Sequence, residues 1–165
     1  DALGEEPDHA ERARHLVRTA VEIRHVAWLD FDGAQVGAIP GPVSPRRTPH
    51  REGDSNSFEL ASRLGKPVFA RPYHEENETF FELYVPVYRD GRLTGMLVAT
   101  QSLNALVGEL VPWWFVEKYG MQVVDDDGRV LASKSKVSAG SRELSHRVLL
   151  DPPGSAERIY RVAVK

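Results

Sequence analysis

The sequence predicts an α+β fold, with a long N-terminal helix packed on an antiparallel sheet and a second, smaller sheet module after it. Three observations carry this expectation. An amphipathic helical pattern opens the chain, and alternating apolar runs bounded by turn signals fill most of the remainder. A pattern of apolar–Asp–x–Asp–Gly also occurs twice, at Leu29-Asp-Phe-Asp-Gly33 and Val124-Asp-Asp-Asp-Gly128, 95 residues apart. That offset is close to the size of one small sheet module, so two modules in tandem are expected. Residues 1–111 read as a complete module with its helix, and residues 112–165 as a smaller one.

Asp8 is a suitable N-cap, with Glu11 three residues on and Pro7 before it. Ala13, Leu16, Val17, Ala20 and Val21 then recur at helical spacing. The run His25–Phe31 reads as a strand that turns at Asp32-Gly33, a strong hairpin signal, and returns through Ala34–Ile39. Four prolines between Pro40 and Ser57 mark a long irregular loop. Ser57 can cap a short helix, Phe58–Leu64, that Gly65 ends. Strands are expected over Pro67–Tyr73, Thr79–Tyr88 and, past the turn Arg89-Asp90-Gly91, Leu93–Gln101. Ser102 reads as the cap of a helix through Leu103, Leu106, Val107 and Leu110, and Pro112 as the start of a further helical piece ending near Gly120. The pattern then returns to strands at Met121–Val124, Val130–Ala132, Arg147–Leu150 and Ile159–Val164.

Composition removes several function classes. The 165 residues are 41% hydrophobic and 27% charged, a balance that builds a core rather than a disordered chain. A net charge of −3 argues against nucleic-acid binding. The longest apolar run, Leu110–Val116, has seven residues, against the ~20 of a membrane span. With no Cys there is no disulfide, thiolate zinc site or thiol nucleophile. The six His are scattered without ligand spacing, and His74-Glu75-Glu76 reads as a solvated acidic turn. Asp125-Asp126-Asp127-Gly128 lacks the other positions of a calcium loop. No nucleophile-elbow, phosphate-loop or dinucleotide motif occurs, so no catalytic residue, metal or cofactor is expected. The chain opens on Asp1 and stops inside an apolar alternating stretch, as a piece of a larger protein is expected to do.

Five segments, in this order and spacing, carry a resemblance. They are Phe69-Ala-Arg-Pro-Tyr73, Phe81-Glu-Leu-Tyr-Val-Pro-Val87, Gly95-Met-Leu-Val-Ala-Thr-Gln-Ser-Leu103, Pro112-Trp-Trp-Phe115, and Tyr119 to Ser133 with its Asp127-Gly128 turn. The chain resembles the extracytoplasmic tandem PAS-like (double Cache) sensor regions of bacterial histidine kinases, closest to those that sense C4-dicarboxylates. The resemblance implies a periplasmic portion of an inner-membrane protein, with membrane spans before and after this segment. It implies a membrane-distal first module holding a small organic acid and a second module connecting to the membrane. The segment itself would be non-catalytic. A ligand-free dimerisation module that reads a partner protein is the alternative, and a small hydrolase is disfavoured because no nucleophile–base pairing is visible.

Charge is unevenly spread. Residues 43–73 hold Arg46, Arg47, Arg51, Arg63, Lys66 and Arg71 against three acids, a local +3. A dicarboxylate needs charge-assisted donors at each end, and Arg supplies them in bidentate form. Arg71 stands out because Phe69, Arg71 and Tyr73 share one face of a strand. This is either an anion clamp walled by rings, with the Tyr73 hydroxyl as a further donor, or an open-face arginine with cation–π support. Phe81, Leu83, Val85 and Val87 form an apolar set expected in the core, and Tyr84, on the mixed face, is expected to bring its hydroxyl to a pocket. Thr100 and Ser102 suit a carboxylate oxygen, although Ser102 equally suits a helix cap. The expected ligand set is Arg71, Tyr73, Phe69, Tyr84, Thr100, Ser102, Arg46 and Arg47. The small residues Ala10, Ala13, Val17 and Ala20 form a stripe expected to pair with a second copy in a parallel homodimer.

Overall fold

The computed structural model describes residues 6–40, 55–125, 127–137, 144–149 and 159–164. Arg46 and Arg47, with the rest of their loop, lie outside the described residues. In chain order the elements are α1 (Glu6–Thr19), β1 (Ile23–Asp30), β2 (Gln35–Ile39), α2 (Ser55–Leu64), β3 (Val68–Phe69), β4 (Tyr73–Glu75), β5 (Glu78–Arg89) and β6 (Arg92–Ser102). They continue with α3 (Leu103–Leu110), α4 (Trp113–Val116), β7 (Met121–Val124), β8 (Val130–Lys134), β9 (Leu144–Leu149) and β10 (Ile159–Val164). One sheet has the order β2-β1-β6-β5-β3, with β4 also pairing β5, and the other has the order β8-β7-β10-β9. The chain divides into two compact units, residues 1–71 with 82–101 and residues 72–81 with 102–165.

In the first unit, α1 begins ahead of the expected cap at Asp8 and ends at Thr19, whose hydroxyl donates to the His15 carbonyl at 2.8 Å. Its 14 residues span about 21 Å, so the described helix is of ordinary length and Val21 lies beyond it. Ala13 is buried and Ala10, Val17 and Ala20 are half-buried, on a helix that packs against β1 and β2. The stripe expected to meet a second copy is thus turned onto the chain's own hairpin, which needs an apolar cover. Among the described residues, the exposed ones of the helix are Glu11, Arg12, Arg14, His15, Leu16, Arg18 and Thr19.

The helix α2 starts at Ser55, which places the buried Ser57 in its first turn rather than at its cap. It ends as expected at Gly65, at φ 63°, whose N–H donates to the Ala61 carbonyl at 2.9 Å. Phe58, Leu60, Ala61 and Leu64 of α2 pack on a sheet face made by Leu29, Val68, Ala70, Tyr84, Met96 and Val98, and this is the core of the unit. Each large side chain so buried contributes roughly 1.5–3 kcal/mol.

The two expected Asp-Gly turns are the same structure. Asp30 Oδ1 accepts from the backbone N–H of Asp32 at 3.0 Å and of Ala34 at 2.8 Å, and Asp125 Oδ1 accepts from Arg129 at 2.8 Å. The N–H of Asp30 donates to the Ala34 carbonyl at 2.8 Å, and that of Asp125 to the Arg129 carbonyl at 3.0 Å. Gly33 and Gly128 sit at φ 84° and 80°, a conformation that carries Cβ strain in other residues. The agreement extends into the strands. Register slips between Trp28 and Leu29 in the β1–β2 pair, and between Val123 and Val124 in the β7–β8 pair, again 95 residues apart. In each sheet the first strand of this hairpin lies between its return strand and the sheet's last strand. A helix packs against each hairpin, α1 on β1 and β2, and α3 on β8.

The second unit holds its own core of Val107, Val111, Val116, Val123 and Ala132, flanked by Leu103, Phe115, Met121 and Leu131. Lys134 on β8 reaches the open end of α3, where its Nζ donates to the carbonyls of Gly108 and Val111. A cation here satisfies carbonyls that the helix leaves without intrahelical donors and opposes the negative end of its dipole. Lys134→Met is therefore expected to lower stability by about 1–2 kcal/mol in urea unfolding, and Lys134→Arg to lose much less.

Candidate ligand-binding site

The strand expected over Pro67–Tyr73 is two strands. β3 pairs Val68 with Tyr84 and Phe69 with Leu83, whereas β4 pairs Tyr73 with Phe80. Three residues, 70–72, therefore stand against two, 81–82, which is the count of a β-bulge. Pro72 has no N–H to give a ladder, and the segment Ala70–Pro72 is not strand. The expected single face of Phe69, Arg71 and Tyr73 is consequently broken, because strand alternation does not run through Arg71. Arg71 is exposed and belongs to the connection between β3 and β4.

Directly opposed residues share a face. Val68 and Tyr84 therefore face α2, and Phe69 and Leu83 face the other way, so Phe69 and Tyr84 do not line one surface. The expected core set of β5 holds only in part. Phe81 is buried, Leu83 and Val85 are half-buried and Val87 is exposed, while Glu82 and Tyr84 of the mixed set are buried. The cover decides this: α2 lies over the Tyr84 face, so a face containing a carboxylate is buried ahead of a purely apolar one.

That covered face carries four buried polar residues, His25, Glu82, Tyr84 and Thr100. The Tyr84 hydroxyl donates to Glu82 Oε2 at 2.9 Å, with both residues buried. Thr100 on β6 is opposite His25 on β1, and both are buried. Period two aligns them with Ala27 and Leu29 on β1 and with Val98 and Met96 on β6, hence with the α2-covered core. Thr100 and Tyr84 thus share the face that the sequence assigned to a pocket, in company with Glu82 and His25. Glu82 could have been found from the sequence, since it alternates in phase with Phe80 and Tyr84. Burying a carboxylate, an imidazole and two hydroxyls on one face is costly unless they are satisfied, so such a group either fixes the core or meets a polar ligand.

The remaining expected site residues belong to the second unit. Tyr73 is half-buried, with its ring centroid 5.7 Å from that of Phe80. Ser102 is fully buried and its hydroxyl accepts from the Ala105 N–H at 3.1 Å, so it is the cap of α3. Asn104, in the first turn of α3, accepts from the Thr79 N–H at 2.8 Å and ties the helix to the start of β5. His74-Glu75-Glu76 is the end of β4 and part of its turn, with Glu76 and Asn77 at φ 48° and 67°, both left-handed as a two-residue hairpin turn requires. Among the described residues no group of His, Asp and Glu could hold a metal ion, and no helix is long and apolar enough to cross a membrane.

No family model matches the chain. The C4-dicarboxylate transport sensor protein DctS of Rhodobacter capsulatus is 30% identical over 152 residues, which are 86% of this chain and 20% of that protein. The chain thus spans about a fifth of the length of this curated relative. Among solved structures, an extracellular domain attributed to a histidine kinase, vpHK1S-Z8, is similar over 99% of this chain and 78% of its own, with TM-score 0.68 and 14% identity. The ligand-binding domain of the Pseudomonas aeruginosa PAO1 amino-acid chemoreceptor PctC, solved with GABA, is similar over 99% of this chain and 84% of its own, with TM-score 0.56 and 18% identity. That of the Pseudomonas fluorescens chemoreceptor CtaA, solved with L-isoleucine, is similar over 98% and 77%, with TM-score 0.59 and 14% identity. The fold is that of these sensory domains.

Proposed function

We propose that this homologue of a C4-dicarboxylate sensor protein is the extracytoplasmic ligand-sensing region of a transmembrane two-component histidine kinase, and that it binds a small carboxylate. The observation that carries the reading is the 30% identity to DctS along 86% of the chain, on a fold found in sensory ligand-binding domains. In this reading the first module holds the ligand and the second connects it to the membrane. Arg71, exposed and freed from the strand ladder, supplies the charge-assisted contact to a carboxylate. Tyr84 and Thr100 belong to the polar group on the α2-covered face, and Arg46 and Arg47 to the basic loop between β2 and α2. The ligand shifts the protein toward the arrangement that it binds more tightly, and that difference in affinity is the signal.

A melting series against organic acids and amino acids tests this. At a ligand concentration 100 times its dissociation constant, stabilisation is about 2.7 kcal/mol, or several degrees in a chain of this size. C4-dicarboxylates are expected to raise the melting temperature most. A rise with amino acids alone removes the dicarboxylate assignment and keeps the sensor, and no rise with any acid favours a ligand-free interaction module.

A further inference from the structure

The second unit carries large apolar side chains in the open. Leu110, 69% exposed, closes α3; Trp113 and Trp114, 67% and 57% exposed, open α4; and Tyr119, 47% exposed, follows it. The rings are continuous, with Trp114 edge-on to Phe115 at 6.1 Å between centroids and Phe115 at 5.1 Å from Tyr119. Single exposed apolar residues are ordinary, but a chain of touching rings from Trp114 to Tyr119, with Trp113 and Leu110 exposed just before it in sequence, marks a contact surface. Its place within the unit adds a second observation. Met121, two residues past Tyr119, is opposite Val164 at the end of β10, and Val164 is in turn opposite Leu144, which is 77% exposed. The last strand, which lies between β7 and β9, therefore finishes level with Met121, at the end of β7 that follows the aromatic group.

We propose that this aromatic surface rests on the headgroup–hydrocarbon boundary of a phospholipid bilayer. The inference builds on the reading above, in which β10 leads toward a membrane span, because the strand end nearest the bilayer is then the one beside Tyr119. Tryptophan and tyrosine suit that boundary, having an apolar ring and one polar hydrogen-bonding atom. Charge adds little: Glu109, Glu117, Lys118 and Lys136 are exposed around the group in equal numbers of each sign. Contact therefore does not require anionic lipid. A second copy of the chain is the rival occupant, which sedimentation distinguishes from a bilayer. A membrane contact can be small, because in the reading above the chain's own attachment keeps it at high local concentration.

The test places the 165-residue chain, carrying a C-terminal hexahistidine, on phosphatidylcholine vesicles that contain nickel-chelating lipid and brominated acyl chains. Tryptophan emission is expected to fall to roughly half its value on unbrominated vesicles, with no effect of added salt. Trp28→Phe should retain the quenching, and Trp113→Ser with Trp114→Ser should remove it while leaving the far-ultraviolet circular dichroism unchanged. Absence of quenching, or its survival in the double variant, overturns the proposal. So does a sedimenting dimer that the double substitution dissociates, which would assign the surface to a second copy. The melting series separates this from the ligand reading. Response to acids without quenching removes the membrane contact alone, and quenching without response to any acid removes the ligand assignment alone.

Discussion

Arg71→Ala will abolish the rise in melting temperature that a C4-dicarboxylate produces, while leaving the unliganded melting temperature within about 2 °C of the parent chain. The second half follows from position. Arg71 is exposed and outside β3 and β4, so neither sheet ladder nor core depends on it. The first half follows from chemistry. Removing one partner of a charge-assisted contact costs on the order of 2–5 kcal/mol, and about 100-fold in affinity lies in the lower part of that range. At a ligand concentration 100 times the parent's dissociation constant, stabilisation then drops from about 2.7 to about 0.4 kcal/mol. Calorimetry with succinate checks the affinity directly. An undiminished affinity removes Arg71 from the site and shifts the search to Arg46, Arg47, Arg51 and Arg63.

Gly95→Ala is expected to be the most destabilising single methyl in the first unit. Gly95 on β6 is opposite Asp30 on β1, and a Cβ there would stand 2.3 Å from the Leu29 carbonyl oxygen. The obstacle is backbone in a central strand pair, so no side-chain rotation relieves it. β1 and β6 would have to separate at the point where the Asp30 turn begins. Overpacking of this kind costs about 3 kcal/mol or more, or about 10 °C in a chain of this length. Gly91→Ala is the useful comparison. Its Cβ meets nothing within 4 Å, so its cost is limited to the left-handed backbone at φ 75°, about 1 kcal/mol. Equal losses from the two substitutions would remove the packing argument.

The order of the elements was legible because local chemistry settles it. Asp32-Gly33, Asp90-Gly91 and Asp127-Gly128 all turn the chain where left-handed glycine permits it, Gly65 ends α2, and Ser102 caps α3. The repeat was legible for the same reason: aspartates 95 residues apart fold the same few backbone groups around themselves, wherever the rest of the chain goes. The candidate site was legible only in part. Alternation set Tyr84 apart from the purely apolar side of β5, but that it shares a covered face with Thr100 follows from strand register and from α2; the one-face grouping of Phe69, Arg71 and Tyr73 assumed an unbroken strand, and Pro72 ends that assumption.

Thus the sequence alone determined the α+β class, the turns, the helix termini and the duplicated hairpin, since each depends on residues within a few positions of one another. Tertiary structure decided which faces are buried. The purely apolar side of β5 was the reasonable choice for the core, yet α2 covers the side with Glu82 and Tyr84, and the helix that carries the small-residue stripe packs on β1 and β2. Burial depends on what lies across the sheet, and that element comes from a distant part of the chain. Alternation can say that two faces differ, but only the packed structure says which of them is covered.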